Sequence, residues 1–454
     1  MSHGYLFPSQ SSLMLQYVGK TLEEISPIPA AVLDRAIVKK NCDAMLGACK
    51  ELGMGFRAHV KSHKTLELAK LQVGEDGPAN FIVSTILEAE QLAPYLRECQ
   101  AKGRECSILY GVPVPPSAAP RLMKLDSLLK PYSINVLVDH IDNFKPFWAE
   151  AQKWYGEETP KVGVFIKIDT GYGRAGIKST SSKFDELVRH VAEHAETGFK
   201  GFYSHLGNSY AGSNQHDAMT GLLKEFRGLG SAAASVHETL KRKLILTVGA
   251  TPTATVAQNM VLAKEALDVP DIRKLRSMYD FELHAGVYPL LDLQQVATNA
   301  RPANLTPSKG SQPLSLSNIG LKILVEVTSV YDDREKPEAL ISAGSLALGR
   351  EPCKSYPGWG IVSNELANRE GDAYDDRGNK RGWIVGRVSQ EHGVLSWEGP
   401  REDMKHLKVG DKLLIWPNHA CIAGSGFGCY LVVDSDLDEK SQKVVDVWVR
   451  WRGW

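Results

Sequence analysis

At 454 residues, 43% hydrophobic and 23% charged, the chain has the make-up of a soluble globular protein large enough for two domains. Its 53 basic and 53 acidic side chains cancel, so no net field draws it to nucleic acid or to an anionic membrane. No apolar run approaches the ~18 residues of a membrane helix, and the opening MSHGYLFPSQSSLML lacks the basic region and apolar core of a secretory leader.

Residues 1–27 read as an N-terminal segment. From 28 to 299, short apolar strands alternate with helical stretches. The strands are Ala31-Val32-Leu33, Phe56 to Val60, Phe81-Ile82-Val83, Ser107-Ile108-Leu109, Ile134 to Val138, Val162 to Ile168, Phe202 to Ser204 and Leu244 to Val248. Amphipathic stretches such as Ser182 to Ala195 and Val256 to Leu267 lie between them. Strands that are apolar throughout belong to a parallel sheet covered on both faces. Eight of them, each followed by a helical connection over roughly 250 residues, predict a closed (β/α)8 barrel. A dinucleotide-binding open sheet would want glycines after the first strand, and Asp34-Arg35-Ala36 has none. Residues 300–318, with three prolines and many small polar residues, read as a connector. From 319 to 454 the pattern is all-β: Leu321 to Val330, Trp383 to Val388, Lys412 to Trp416, Tyr430 to Val433 and Val444 to Trp451, with Asn364 to Lys380 as a polar surface loop. The fold class is therefore α/β plus all-β.

Phe56-Arg57-Ala58-His59-Val60-Lys61-Ser62-His63-Lys64-Thr65 sets Lys61 at the C-terminal end of a strand, just before a helix starting at Thr65. Barrels of this kind carry their chemistry at that end. Crowding by Arg57, His59, His63 and Lys64 disfavours a protonated Lys61, and a neutral amine is what Schiff-base chemistry with a carbonyl cofactor requires. A solvated basic turn is the plain alternative. Three further strand ends carry polar residues: Lys167-Ile168-Asp169-Thr170-Gly171-Tyr172-Gly173-Arg174-Ala175-Gly176, Tyr203-Ser204-His205-Leu206-Gly207-Asn208-Ser209-Tyr210, and Thr247-Val248-Gly249-Ala250-Thr251-Pro252-Thr253. Tyr172 and Arg174 suit an anionic ligand. The last segment suits a phosphate held by backbone N–H groups at a helix start, or is simply an N-cap with proline at N1. His205 is equally compatible with a satisfied core histidine.

In order and spacing, these segments, with Leu283-His284-Ala285-Gly286-Val287-Tyr288, resemble the fold-type III pyridoxal-phosphate enzymes, whose barrel is like that of alanine racemase. Within them the chain is similar to the D-serine dehydratase and D-threonine aldolase branch over nearly its whole length. The resemblance implies pyridoxal 5′-phosphate carried as a Schiff base on Lys61, with His205 packed near its ring. Gly249, Ala250, Thr251, Gly286 and Val287 would hold the phosphate, and Tyr172, Arg174 and Tyr210 would complete the cofactor site. Ala58 stands where proline is common, and Gly173 and Asn208 where histidines are, so the cofactor follows more directly than the substrate.

The seven cysteines, Cys42, Cys49, Cys99, Cys106, Cys353, Cys421 and Cys429, are odd in number and scattered. That pattern suits reduced thiols in a cytoplasmic protein, one of them available to a metal. His419 and Cys421, two apart on an extended strand, would face one side and suit zinc. By spacing alone, a buried cysteine beside a surface histidine is the simpler reading. By resemblance, the dehydratase branch holds Zn2+ on such a His-x-Cys pair, where the aldolase branch usually has His-x-Asp. Glu391-His392-Gly393 resembles a segment near that metal. The resemblance thus implies a homodimeric, cytoplasmic enzyme that converts a small D-amino acid, D-serine, to pyruvate and ammonia, with zinc on the β-hydroxyl. Retro-aldol cleavage of a D-3-hydroxy amino acid, dehydration of another such substrate, and a non-catalytic cofactor-binding protein remain as alternatives.

Overall fold

The computed structural model describes residues 7–195, 198–236, 243–262, 269–304, 306–307, 310–366, 373–437 and 442–454. In chain order the strands are β1 (Ala30–Asp34), β2 (Gly55–His59), β3 (Ala79–Val83), β4 (Cys106–Pro113), β5 (Ile134–Val138), β6 (Gly163–Lys167), β7 (Phe199–Tyr203), β8 (Ile245–Val248) and β9 (Asp280–Ala285). They continue with β10 (Leu321–Tyr331), β11 (Glu338–Ile341), β12 (Gly360–Val362), β13 (Gly382–Val388), β14 (Gly393–Glu398), β15 (Lys412–Pro417), β16 (Cys429–Val433) and β17 (Asp446–Val449). Two compact units result: residues 42–286, 299–313 and 453–454 form one, and residues 1–41, 287–298 and 314–452 the other. Among the described residues, no helix is long and apolar enough to cross a membrane.

The first unit is a closed parallel barrel of β2 to β9. It shuts where Gly55, Phe56, Arg57 and Ala58 of β2 pair with Glu282, Leu283, His284 and Ala285 of β9. Ile82, Leu109, Leu137, Phe165 and Tyr203, one from each of five strands, form an interior layer, as alternation along barrel strands requires. Beside it the guanidinium of Arg57 donates to both oxygens of Glu282, at 2.8 and 3.1 Å, and lies 5.6 Å from the centre of the Phe165 ring. Both charged residues are almost fully buried. A bidentate pair satisfies each partner in a medium that tolerates neither charge alone.

The eight expected barrel strands need one exchange. Ala31-Val32-Leu33 belongs to the other unit, and β9 closes the barrel in its place. Apolar periodicity marks β1 as buried on both faces but not in which sheet. The sequence of β9, Asp-Phe-Glu-Leu-His-Ala, hides its strand character because Glu282 and His284 find partners only inside the barrel. The Ser182 helix runs Ser182–His194, capped by the Ser181 hydroxyl. Of the stretch expected from Val256 to Leu267, Ala257–Leu262 is helical, a separate short helix Thr251–Thr255 precedes it, and residues 263–268 lie outside the described residues.

The second unit is a nine-stranded sheet in the order β11-β14-β13-β12-β15-β10-β1-β16-β17. β1 runs antiparallel to β10 and parallel to β16, an interior position in the sheet that suits its apolar run Ala30 to Leu33. Sequence reading missed β11, β12 and β14, short strands of three to six residues. The connector at 300–318 is not loose chain: Ala300, Arg301, Ser311 and Leu314 are buried. Within Asn364 to Lys380, Leu366 and Tyr374 are buried, and residues 367–372 lie outside the described residues.

Candidate functional site

Strand β2 ends at His59 and passes into a single 3-10 turn, Val60–Ser62, which leaves Lys61 half-buried at the C-terminal end of the barrel. The Lys61 N–H points at His59 Nδ1, 3.4 Å away. Lys64 takes a left-handed backbone (φ 53°) that turns the chain into the helix Leu66–Val73. The expected crowd of cations around Lys61 is thinner than its sequence suggests. Arg57 is committed to Glu282, and Lys64 pairs with Glu88 at 3.0 Å. His63 is buried against Thr65 and Gln72, at 3.1 and 2.9 Å. Side chains two apart on a strand share a face, but they share it with their own partners too.

What does surround Lys61 is a group of uncharged imidazoles. His59 and His284 are both held well below the usual histidine range. Burial is the main cause in each; Lys61 adds to it for His59, and His205 and Arg57 for His284. His205 is depressed to about 3 by burial, then by Lys61 and Arg174. Its Nδ1 lies 2.6 Å from the Gly249 carbonyl oxygen, so Nδ1 carries the proton and Nε2 the lone pair. His284 stacks on Tyr203 at 4.3 Å and 10°, and hydrogen-bonds Thr247 through Nδ1 at 3.0 Å. Its Nε2 is buried with no hydrogen-bond partner among the described residues.

A carboxylate absent from the sequence reading ties this end of the barrel together. Glu225, inside the helix Gln215–Ala234, accepts hydrogen bonds from Ser204 Oγ (3.0 Å), the Leu206 N–H (2.9 Å) and Thr253 Oγ1 (3.2 Å), and from the Gly249 N–H. It thereby joins the strand end carrying His205 to the start of the Thr251–Thr255 helix. Burial still pushes its pKa up to about 7. Gly249 has φ +147°, and a Cβ there would stand 2.1 Å from the His284 carbonyl oxygen. Only glycine permits that approach. The Ala250 N–H is already given to Thr253 Oγ1 at 2.8 Å, while Thr251 is buried beside it. Gly286 comes within 3.3–3.4 Å of His59 and Ser62 if a Cβ is added, and Val287, next in the chain, is buried.

The loop after β6 is organised by Asp169, whose Oδ1 accepts the N–H groups of Gly171, Tyr172 and Gly173 at 2.9–3.0 Å. Arg174 stacks on the Tyr172 ring at 5.1 Å, and that ring lies against Gly207, in the turn that also contains Tyr210. Lys167, buried on β6, is a second lysine of this region, 5.4 Å from the Tyr203 ring centre. Burial and Arg174 lower its pKa to about 8. A lysine amine, neutral imidazoles in a stack, an unpartnered ring nitrogen and a tight glycine turn together meet the needs of an aromatic aldehyde phosphate.

The second unit holds the other expected cluster. His419 and Cys421 do not lie on a strand: β15 stops at Pro417, His419 is extended (φ −136°, ψ 103°), and Cys421 is in the one-turn helix Ala420–Ala423. The two side chains meet nevertheless, hydrogen-bonded to each other. Burial opposes charge on His419, yet Cys421, Asp292 and Glu351 outweigh it and raise its pKa to about 9. Asp292 is fully buried and accepts the Ala420 and Gln295 N–H groups at 2.9 and 2.8 Å. Glu351 stands 4.0 Å from His419 Nδ1, which is buried and has no hydrogen-bond partner among the described residues. Asn418 braces the segment through the carbonyls of Glu351 and Gly358 and the Tyr356 hydroxyl. An imidazole with an unpartnered nitrogen, a thiol and nearby carboxylates form a donor set that fits a borderline-soft divalent cation such as zinc. Glu391 and His392 are exposed in the β13–β14 turn, where the His392 backbone lies against Gly344.

Reasoning from sequence did not find Glu225, Asp292 or Glu351. It named His59 only as a basic neighbour of Lys61, and Lys167 only as the first residue of a strand-end segment. Glu225 carries no local signal, since a carboxylate inside an amphipathic helix is ordinarily a solvated one.

The model of the alanine racemase N-terminal domain matches residues 33–264, and that of the "Putative serine dehydratase domain" matches residues 320–433. D-serine dehydratase of Schizosaccharomyces pombe is 32% identical, with 100% of this chain and 98% of that protein covered. D-serine dehydratase of Saccharomyces cerevisiae is also 32% identical, with 98% and 100% covered. Among solved structures, D-threo-3-hydroxyaspartate dehydratase from Delftia sp. HT23 superposes with a TM-score of 0.73 at 25% identity, over 96% of this chain and 100% of that one.

Proposed function

The chain belongs to the D-serine dehydratase family, which joins an alanine racemase-type barrel to a serine dehydratase domain, and from that premise we propose that it is a lyase converting D-serine to pyruvate and ammonia. The net reaction removes water across Cα and Cβ, and hydrolysis of the resulting enamine releases ammonia. Bound pyridoxal 5′-phosphate supplies a sink for the electron pair left at Cα, and bound zinc supplies Lewis-acid polarisation of a hydroxyl leaving group.

Lys61 Nζ holds the cofactor and then serves as the base for the Cα proton. His205, with its Nδ1 proton fixed on the Gly249 carbonyl, offers a ring face and a lone pair but no charge. His59 and His284 are neutral for the same reason, so none of the three imidazoles is a cationic acid that would return the proton. Gly249, Ala250, Thr251, Gly286 and Val287 hold the phosphate, with Ala250 contributing close backbone rather than a free N–H. Tyr172, Arg174 and Tyr210 line the cofactor site. His419 and Cys421 bind zinc, and the carboxylates of Asp292 and Glu351 add negative potential there.

One observation carries dehydration over retro-aldol cleavage: the ligand beside His419 is the thiol of Cys421, hydrogen-bonded to it. Thiolate selects zinc where a carboxylate suits harder ions. Cytoplasmic residence belongs to the same proposal, supported by seven cysteines, none of which is in a disulfide. The test is a panel of D- and L-serine, threonine and 3-hydroxyaspartate given to the purified holoprotein, with and without chelator. Pyruvate from D-serine, lost on chelation, supports the reading; glycine plus aldehyde from D-threonine as the main product refutes it.

A further inference from the structure

Outside both clusters, the helix Ser182–His194 ends in His190-Val191-Ala192-Glu193-His194. Residues three and four apart on a helix share a face, and here the shared face collects two imidazoles and a carboxylate. One ligand atom from each of His190, Glu193 and His194 lies within 4.8 Å of the others. Ligands around a tetrahedral ion with ~2.1 Å bonds stand roughly 3.4 Å apart, a contraction that the exposed Glu193 and His194 side chains can make by rotation.

Two details go beyond proximity. His194 Nδ1 is 2.9 Å from the His190 carbonyl oxygen, so it carries the proton and turns the Nε2 lone pair away from the helix. Metal-binding histidines are oriented by this kind of bond. The His194 ring is braced edge-on against Phe144, with centroids 6.2 Å apart. His190 Nδ1 is a buried atom with no hydrogen-bond partner among the described residues, 3.9 Å from Glu193 Oε2. That gap is too long for a hydrogen bond and suits a cation bridging the two. Favourable interaction with a helix C-terminus would account for histidines in a last turn, but not for an orphaned nitrogen turned toward a carboxylate.

We infer that His190, Glu193 and His194 form a second cation site, for zinc or another borderline d-block ion, separate from the His419–Cys421 pair. Two imidazoles and a carboxylate without a thiolate suit zinc, copper(II) or nickel(II), and three protein ligands leave a fourth position to water. The consequence is analytical as well as structural: zinc counted on this protein is the sum of two populations, of which the helix-bound one has no part in turnover.

The experiment is elemental analysis of holoprotein equilibrated with buffered zinc, for the wild type, His194→Ala and His190→Gln. Each variant is expected to bind one zinc fewer per chain than the wild type. The visible cofactor band should be retained, and pyruvate formation should stay within about twofold, since both changes lie outside the two clusters assigned to cofactor and zinc. Zinc should also raise the melting temperature of the wild type more than that of His194→Ala. Equal zinc content in wild type and both variants, with the cofactor band present, overturns the site. Because the readout is a difference between wild type and variant, it holds whether or not His419 and Cys421 bind metal.

Discussion

Replacing Glu225 by glutamine tests the electrostatics of the barrel end directly. The carboxyl group is fully buried, and its pKa is raised from 4.5 to about 7 by burial, with its hydrogen bonds opposing the rise. A carboxyl group whose folded pKa exceeds its unfolded value stabilises the protein most when protonated in both states. That contribution is complete below pH 4.5 and disappears as pH rises through 7. The gap, at about 1.4 kcal/mol per pH unit, is worth about 3 kcal/mol in total, most of it between pH 5 and pH 8. Glutamine has no such dependence and keeps the acceptor oxygen for Ser204 and the Leu206 N–H. The buried neutral histidines give the opposite slope, losing stability as pH falls below 6.5, but they do so in both proteins and cancel in the comparison. Denaturant unfolding of wild type and Glu225→Gln at several values between about pH 5 and pH 8 should therefore show the variant gaining on the wild type by roughly 2–3 kcal/mol as pH rises. Parallel curves would mean that Glu225 titrates alike folded and unfolded, and the account of its burial would be wrong.

Borohydride reduction of the holoprotein should fix the cofactor on Lys61, and Lys61→Ala should lose both the adduct and turnover; recovery of label on Lys167, the depressed lysine nearby, would move the assignment. Cys421→Ala should lose zinc and pyruvate formation while keeping the visible cofactor band, because Lys61, which holds the cofactor, belongs to a different compact unit from His419 and Cys421. Full activity in that variant or in metal-free enzyme would leave a lyase that needs only its organic cofactor. Glu282→Leu should destabilise the protein by about 3–5 kcal/mol, because it strands the buried Arg57 charge, and Arg57→Met added to it should restore most of that loss. A double variant no more stable than the single one, measured by denaturant melts, would show that the pair is not balanced as described.

Much of this protein was legible residue by residue. The alternation of apolar strands and amphipathic helices specified a parallel barrel followed by a β domain, because burial on both faces leaves a local, periodic trace. Lys61, His205, Gly249 and the His419–Cys421 pair stood out because strand ends, turns and close spacing are properties of contiguous chain. Whatever depended on a partner distant in sequence was settled only by the tertiary structure. β1 and β9 could not be allotted to their sheets, since an apolar run fits any buried strand and a polar one looks like a loop until Arg57 and Thr247 are seen facing Glu282 and His284. The same holds for charge. Arg57 and Lys64 beside Lys61 in sequence suggested a crowd of cations, whereas folding gave each its own carboxylate and left neutral imidazoles as the neighbours that matter. Glu225 reaches its partners from a helix some twenty residues away, and Asp292 and Glu351 come to His419 across still longer stretches of chain. Periodicity and motif spacing are written in the chain itself; the protonation and pairing of a buried group depend on the dielectric and the charges that folding brings to it.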